Sequence, residues 1–266
     1  MKPPVPVGVL RGMLKEIQVS GKDKKPLVVG GARELAAVLR RELGRGAAPG
    51  GVGTGDEPEG AAVLVYVLGG EPGDDDVAAL KRARRARVPI VAVVAGRLDE
   101  DVSIPYVLAT DVVQVPAGEG FPVDRIARTI AARLGEDGAP LAARVPELRG
   151  AVCDRLIAAA ARRNGLVAAA VFVPGADMPI LARNQVKLVL RLEQAYGLEL
   201  DLRARAPEIA GVLAAGLGLR AAAEQLLDLV PVAGWLVKGA VAYAGTRSLG
   251  EATIRGLEAR APGRHG

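Results

Sequence analysis

Three short runs with no charged residue constrain this chain more than any other feature: Pro26-Leu-Val-Val-Gly-Gly31, Ala62-Val-Leu-Val-Tyr-Val-Leu68 and Pro89-Ile-Val-Ala-Val-Val-Ala95. Apolar residues at every position, rather than at every second one, mark strands covered on both faces, as parallel strands are. The first run leads directly into Ala32–Leu43, which reads as a helix. The second is followed by Asp74-Asp-Asp76 and a helix over 75–87, with carboxylates at its amino end and Lys81, Arg82, Arg84, Arg85 and Arg87 towards its carboxyl end, as the helix dipole favours. Tyr106–Leu108 and Val112–Val115 form one more strand region, and Pro122–Leu134 a closing helix. Strand and helix alternate with short connections, so the expected fold is an α/β domain with a small, mostly parallel open sheet, Rossmann-like in kind.

Residues 7–19 place apolar side chains at helical spacing and predict an amphipathic lead-in helix. Residues 44–60, rich in glycine with prolines at 49 and 58, read as a mobile loop. Gly135–Pro146 reads as a hinge, which divides the chain into an α/β domain over 1–140 and an all-α helical bundle domain over 141–266. The second part carries helix patterns only, over 147–163, 165–173, 177–196, 207–217, 219–229, 232–245 and 247–260. Its longest uncharged stretch, Asn164–Ala176, is shorter than the roughly twenty residues that span a bilayer. A compact bundle is therefore the first reading and a short membrane hairpin near 206–246 the second. The recurring small residues Gly211, Gly216, Gly218, Gly239, Ala240, Ala244 and Gly245 would let helices approach closely in either setting.

Charge separates the two parts. Residues 1–140 hold 19 Lys and Arg against 19 Asp and Glu, while 141–266 hold 16 against 11, so the whole excess of +5 lies in the second. The only histidine, His265, and the only cysteine, Cys153, exclude a His-based catalytic triad, an intramolecular disulfide and a Cys/His metal site. No metal and no cofactor is expected. The arginines at 82–87 lack interleaved aromatics and are offset by neighbouring aspartates, which argues against nucleic acid. The first residues, Met1-Lys-Pro-Pro-Val-Pro, lack signal-peptide features, and a cytoplasmic location is expected, peripheral to the inner membrane in one reading.

A phosphate-binding loop is missing where this fold would carry one. Between the first strand and its helix stand Gly30 and Gly31, with no lysine and no Ser or Thr, and Glu34 adds negative charge to the first helical turn. Gly30 and Gly31 would hold at most a small anion at the helix amino end, with Arg33, or would simply form a tight turn. Asp99, Glu100 and Asp101 would contact a base or a cation, or form a solvated turn. Thr110 and Asp111 fall at a possible strand end, the ligand-facing edge of such sheets, or cap a turn. Arg162 and Arg163, beside the apolar segment 165–173, suit an anionic membrane surface or a domain interface. Arg183, Asn184 and Gln185, inside an apolar helix, satisfy buried polar groups or contact the first domain.

Two resemblances follow from these residues. Met178-Pro-Ile-Leu181 with Gln185–Gly197, Leu226-Leu-Asp-Leu-Val-Pro-Val-Ala-Gly-Trp235 and Gly245-Thr-Arg-Ser-Leu-Gly250 resemble the bacterial helical family catalogued as domain of unknown function 697. That family often follows an Era-like GTPase domain, and some of its members are inner-membrane proteins. The first half is similar to a G domain in its later motifs. Val94-Ala-Gly-Arg-Leu-Asp99 stands where a GTPase carries Asn-Lys-x-Asp, which would put Asp99 on a guanine base. Val115-Pro-Ala-Gly-Glu-Gly120 stands where the Ser-Ala loop would be, which would put Ala117 beside it. The resemblance implies a degenerate GTPase-like domain with a ligand edge at Gly30, Gly31, Asp99 and Ala117 and no catalytic residue. The expected function is a non-catalytic interaction or scaffold module, or alternatively a weak nucleotide or small-ligand binder. Its partners would be a protein, a second copy through the helical domain (a homo-oligomer), or an anionic membrane surface.

Overall fold

The computed structural model describes residues 7–22, 24–55, 58–96, 103–116, 118–170, 178–198, 211 and 234–260. The chain divides into two compact units, Lys22–Arg155 and Met1–Gly21 together with Leu156–Gly266. The division thus falls later than residue 140 and assigns the lead-in helix to the carboxyl-terminal unit.

The α/β unit contains β1 (Leu27–Gly31), α2 (Arg33–Leu43), β2 (Val52–Thr54), β3 (Val63–Leu68), α3 (Asp74–Arg85), β4 (Ile90–Ala95), β5 (Val112–Val115), α4 (Val123–Leu134) and α5 (Ala139–Arg144); α1 (Val7–Gly21) precedes it in sequence. All strands are parallel, in the order β2-β1-β3-β4-β5. This is the flavodoxin-like doubly wound order, and the expected parallel α/β sheet followed by helices is observed. Alternation along the strands sorts the core into two layers. Leu64, Tyr66, Leu68, Ile90, Ala92 and Val94 pack with Leu80 and Ala83 of α3. Val63, Val65, Val67, Val91 and Val93, also buried, point to the opposite face, where α2 lies along β1 and β2 and α4 along β4 and β5. Right-handed crossovers require this: the chain leaves β1 in one direction and β3 in the other, so α2 and α3 fall on opposite faces.

Three sequence expectations change here. The glycine-rich loop contains β2, an edge strand pairing Leu27 with Val52 and Val29 with Thr54. Its backbone is held in place: Leu27 N–H donates to the Gly51 carbonyl at 3.0 Å, and Ala48 N–H to the Arg144 carbonyl at 2.8 Å. The expected hinge is packed structure, with Ala139, Leu141, Ala142, Val145 and Leu148 all buried. The Arg144 guanidinium donates to the Lys25 carbonyl at 3.1 Å and to the Gly50 carbonyl, fastening this segment to the β2 loop. Residues 106–108 are not a strand. Tyr106 has φ of 67° and a 3-10 turn covers Ala109–Asp111, so only 112–115 joins the sheet.

The helical unit contains α1, the part of α6 (Arg149–Ala170) from Leu156 onward, α7 (Met178–Ala195) and α8 (Gly234–Arg260). Segments read as separate helices are continuous across Gly165 and across 245–247, because an α-helix tolerates glycine when the missing side chain serves packing. A Cβ on Gly165 would lie 3.1 Å from the Gly239 carbonyl oxygen, and one on Gly239 would lie 3.0 Å from that of Gly165. These glycines let α6 and α8 cross in backbone contact. The expected helices at 207–217 and 219–229 lie outside the described residues. No helix among the described residues is long and apolar enough to cross a membrane.

α1 lays Met13, Leu14 and Ile17 against Val186, Val189 and Leu190 of α7. Polar groups complete the contact. Gln194 Nε2 donates to the Ile17 carbonyl at 2.9 Å, and Arg191 Nη1 donates to Ser20 Oγ at 2.8 Å and to Gln194 Oε1 at 2.9 Å. The Ile17 carbonyl, near the carboxyl end of α1, thus accepts from α7 as well as from Ser20 Oγ at 2.8 Å.

Candidate functional site

In a doubly wound sheet the ligand crevice opens where neighbouring strands send their chains in opposite directions, at the carboxyl edge. Here that point lies between β1 and β3. The turn Gly31-Ala32-Arg33 forms one wall and Gly69–Gly73 the other.

Gly30 and Gly31 therefore occupy the place the sequence gives them, but their backbone is committed to the sheet. Gly31 has φ of +96°, and a Cβ there would lie 2.0 Å from the Val67 carbonyl oxygen. Ala32 N–H donates to that same oxygen at 2.9 Å. The first amide of the turn, which would face a phosphate in a binding loop, points instead at β3. The amino end of α2 carries no side-chain cap and has Glu34 in its first turn.

The opposite wall brings its own anions. Asp74, Asp75 and Asp76 occupy the first turn of α3. Asp76 accepts from the Tyr66 hydroxyl and from Gly73 N–H, both at 2.9 Å, so this helix end is satisfied by its own chain. With Glu71 and Glu34, the described residues of these two turns carry five carboxylates and one guanidinium, that of Arg33. A polyphosphate would enter against that field.

Asp99 and Ala117 lie outside the described residues, as do Arg97, Glu100 and Asp101. The strands they follow, β4 and β5, stand two and three places from β1, which is about 10 and 14 Å at ordinary strand spacing. Gly96, at the end of β4, has φ of +120° and donates its N–H to the Val115 carbonyl at 2.9 Å. Thr110 and Asp111 precede β5, so they sit at the amino edge of the sheet, away from the ligand edge. Asp111 is buried and pairs with Arg133 at 3.5 Å, a structural role within the unit. The arginines of α3 are exposed along its carboxyl half.

A cavity of about 500 Å³ lies elsewhere in the unit, beside Phe121 at the start of α4. Arg45, Arg125 and Arg128 line it together with Glu42, Asp124 and Glu147, so it has no net charge with which to select an ion. Arg45 is already paired with Glu42 at 2.5 Å.

The helical unit holds a polar site that no sequence motif announces. The chain has two asparagines, and they meet: Asn184 Nδ2 donates to Asn164 Oδ1 at 2.8 Å, and Asn164 Nδ2 donates to Thr246 Oγ1 at 2.9 Å. Asn164 and Thr246 are fully buried, so this chain of bonds ties α6, α7 and α8 together at one level. Asn184 thus fits the reading in which it serves a buried polar group; Gln185 is buried, while Arg183 is exposed, as are Arg162 and Arg163. Among the described residues no group of three His, Cys, Asp or Glu side chains is placed to hold a metal ion. Compared with protein-family models, with curated proteins and with solved structures, the chain matches none.

Proposed function

We propose that this chain is a non-catalytic two-unit protein whose α/β unit serves as a rigid platform and whose helical unit makes the contacts, with a protein, a second copy or an anionic membrane surface. The charge at the crevice carries this reading. The described residues of the two turns carry five carboxylates and one arginine, and the amide that would cradle a phosphate is bonded to Val67. Phosphoryl transfer depends on positioned lysine, metal and backbone donors. None of the described residues at this edge supplies that set.

Thermal denaturation with GTP, GDP, ATP and ADP, each with and without Mg²⁺, tests it. The expected result is an unmoved melting temperature. A stabilisation of about 2.7 kcal/mol, which a ligand gives at a hundred times its dissociation constant, would refute the reading and favour a nucleotide-binding one.

A second reading has one observation in its favour. The β1–β3 switch point is where doubly wound sheets bind their ligands, and an uncharged or cationic small molecule would not meet the repulsion a nucleotide meets. A shift in the same assay with such a compound, abolished by bulk at Gly69 or Gly70 where an added Cβ meets open space, would establish it.

A further inference from the structure

α6 runs antiparallel to α8, because Ile157 lies against Gly250 and Gly165 against Gly239. α7 runs in the same direction as α8: Asn184 and Thr246 meet through Asn164, and the Tyr196 hydroxyl reaches Glu258 at 3.2 Å. The carboxyl end of α6 and the amino ends of α7 and α8 therefore share one end of the unit. Each helix exposes a large aliphatic residue there: Leu166 at 72%, Ile180 at 46% and Leu236 at 54%. Isolated exposed aliphatics are ordinary, but three gathered at one end are a surface.

Among the described residues of these helix ends the charge is of one sign. Arg162 stands four residues before Leu166, and Arg183 three residues after Ile180. Each cation therefore shares a helix face with its aliphatic neighbour and sits one turn, about 5.4 Å, further from the end. Arg163 and Lys238 add positive charge at the same end. Residues 156–170, 178–187 and 234–246 contain no carboxylate at all. A second copy of this surface would bring cations against cations. A peptide ligand would call for a groove, whereas these aliphatic side chains project from helix ends.

We propose that this end of the helical unit docks on a bilayer surface containing anionic phospholipids. Leu166, Ile180 and Leu236 enter the boundary between headgroups and acyl chains, to the depth of roughly 5–10 Å typical of interfacial helices. Arg162 and Arg183, one turn behind, meet the lipid phosphates while their alkyl stems lie along the apolar layer. The proposal rests on the helical unit being the contact-making half and names its partner.

Cosedimentation of the full chain with vesicles tests it, comparing mixed phosphatidylcholine–phosphatidylglycerol with pure phosphatidylcholine. The expected result is binding to the mixed vesicles only, weakening as salt is raised. Arg162→Gln and Arg183→Gln should each lower partitioning about fivefold. Leu166→Ala with Ile180→Ala should lower it by on the order of tenfold or more, with an unchanged melting temperature because all four side chains are solvent-facing. Arg84→Gln with Arg85→Gln, on α3, should leave it unchanged. Failure to bind mixed vesicles, equal binding to neutral ones, or arginine-dependent binding indifferent to Leu166 and Ile180 would each overturn the proposal. The last pattern would mark a site for soluble polyanions. None of these outcomes bears on the nucleotide titration, so the two readings fail separately.

Discussion

Replacing Gly31 by alanine tests whether the turn after β1 is built for sheet closure rather than for a ligand. Two costs add. The backbone at φ of +96° is unfavourable for any residue with a Cβ, at about 1–2 kcal/mol. The new methyl would also stand 2.0 Å from the Val67 oxygen, about 1.4 Å inside the 3.4 Å at which ordinary contact begins. That oxygen is backbone in a central strand and accepts from Ala32 N–H. Relief requires prising β1 from β3 at its carboxyl end, losing one or two ladder bonds at about 1 kcal/mol each. With the strain of overpacking, the total is on the order of 3–5 kcal/mol, a large share of a domain's stability. Gly60→Ala is the matched control, because Gly60 has φ of +79° with nothing within 4 Å and incurs only the first cost. Guanidinium denaturation followed by circular dichroism gives the difference, and hydrogen exchange on peptides covering β1 and β3 locates it. If Gly31→Ala costs no more than Gly60→Ala, the close approach is not real and the turn is open to a ligand.

Two further outcomes concern the helical unit. Asn164→Leu should destabilise it by about 2–3 kcal/mol, because the buried Thr246 hydroxyl loses its donor and Asn184 its acceptor; adding Thr246→Val should recover at least about 1 kcal/mol in a double-mutant cycle, since the unsatisfied hydroxyl is removed and only the half-buried Asn184 amide is left without its partner. Gly165→Leu and Gly256→Ala should move denaturation midpoints in opposite directions: the first forces α6 from α8 and costs about 2 kcal/mol or more, while the second adds a methyl in open space on α8 and gains about 0.5–1 kcal/mol.

How much of this was legible in the sequence varies with the kind of interaction. β1, β3 and β4 could be read because a strand buried on both faces must be apolar throughout. β2 could not, since Gly51-Val-Gly-Thr54 carries one apolar residue and pairs through its backbone alone. The hinge reading of 135–146 missed that this segment is packed, because Val145 meets Gly51 and the Arg144 carbonyl accepts from Ala48 N–H, partners far back in the sequence. Gly165 misled in the same way: it reads as a helix end until Gly239, 74 residues later, is seen against it. At the candidate site the two glycines and the missing lysine were plain, but the bond from Ala32 to Val67 depends on strand order. Thr110 and Asp111 were placed at the wrong edge because 106–108 was read as strand, which displaced the strand end by several residues.

The small-residue composition of the helical unit creates a problem that its polar contacts solve. Where α6 and α8 face each other through Gly165 and Gly239, few large side chains fix the register, and such helices can slide or rotate with little change in buried area. Two groups of hydrogen bonds remove that freedom. Asn164 must meet both Asn184 and Thr246, which sets α6, α7 and α8 to one level; Arg191 and Gln194 must meet Ser20 and the Ile17 carbonyl, which sets α1 on α7. A slip of one residue on α8 would carry Thr246 about 1.5 Å along the axis and 100° around it, leaving a buried amide unsatisfied at a cost of about 1–3 kcal/mol. The same register decides whether Leu166, Ile180 and Leu236 emerge at a common end with cations one turn behind. Fixing the level of three helices from within is therefore a condition for presenting these side chains at one end, and the proposed bilayer contact should weaken in Asn164→Leu even though residue 164 never leaves the core.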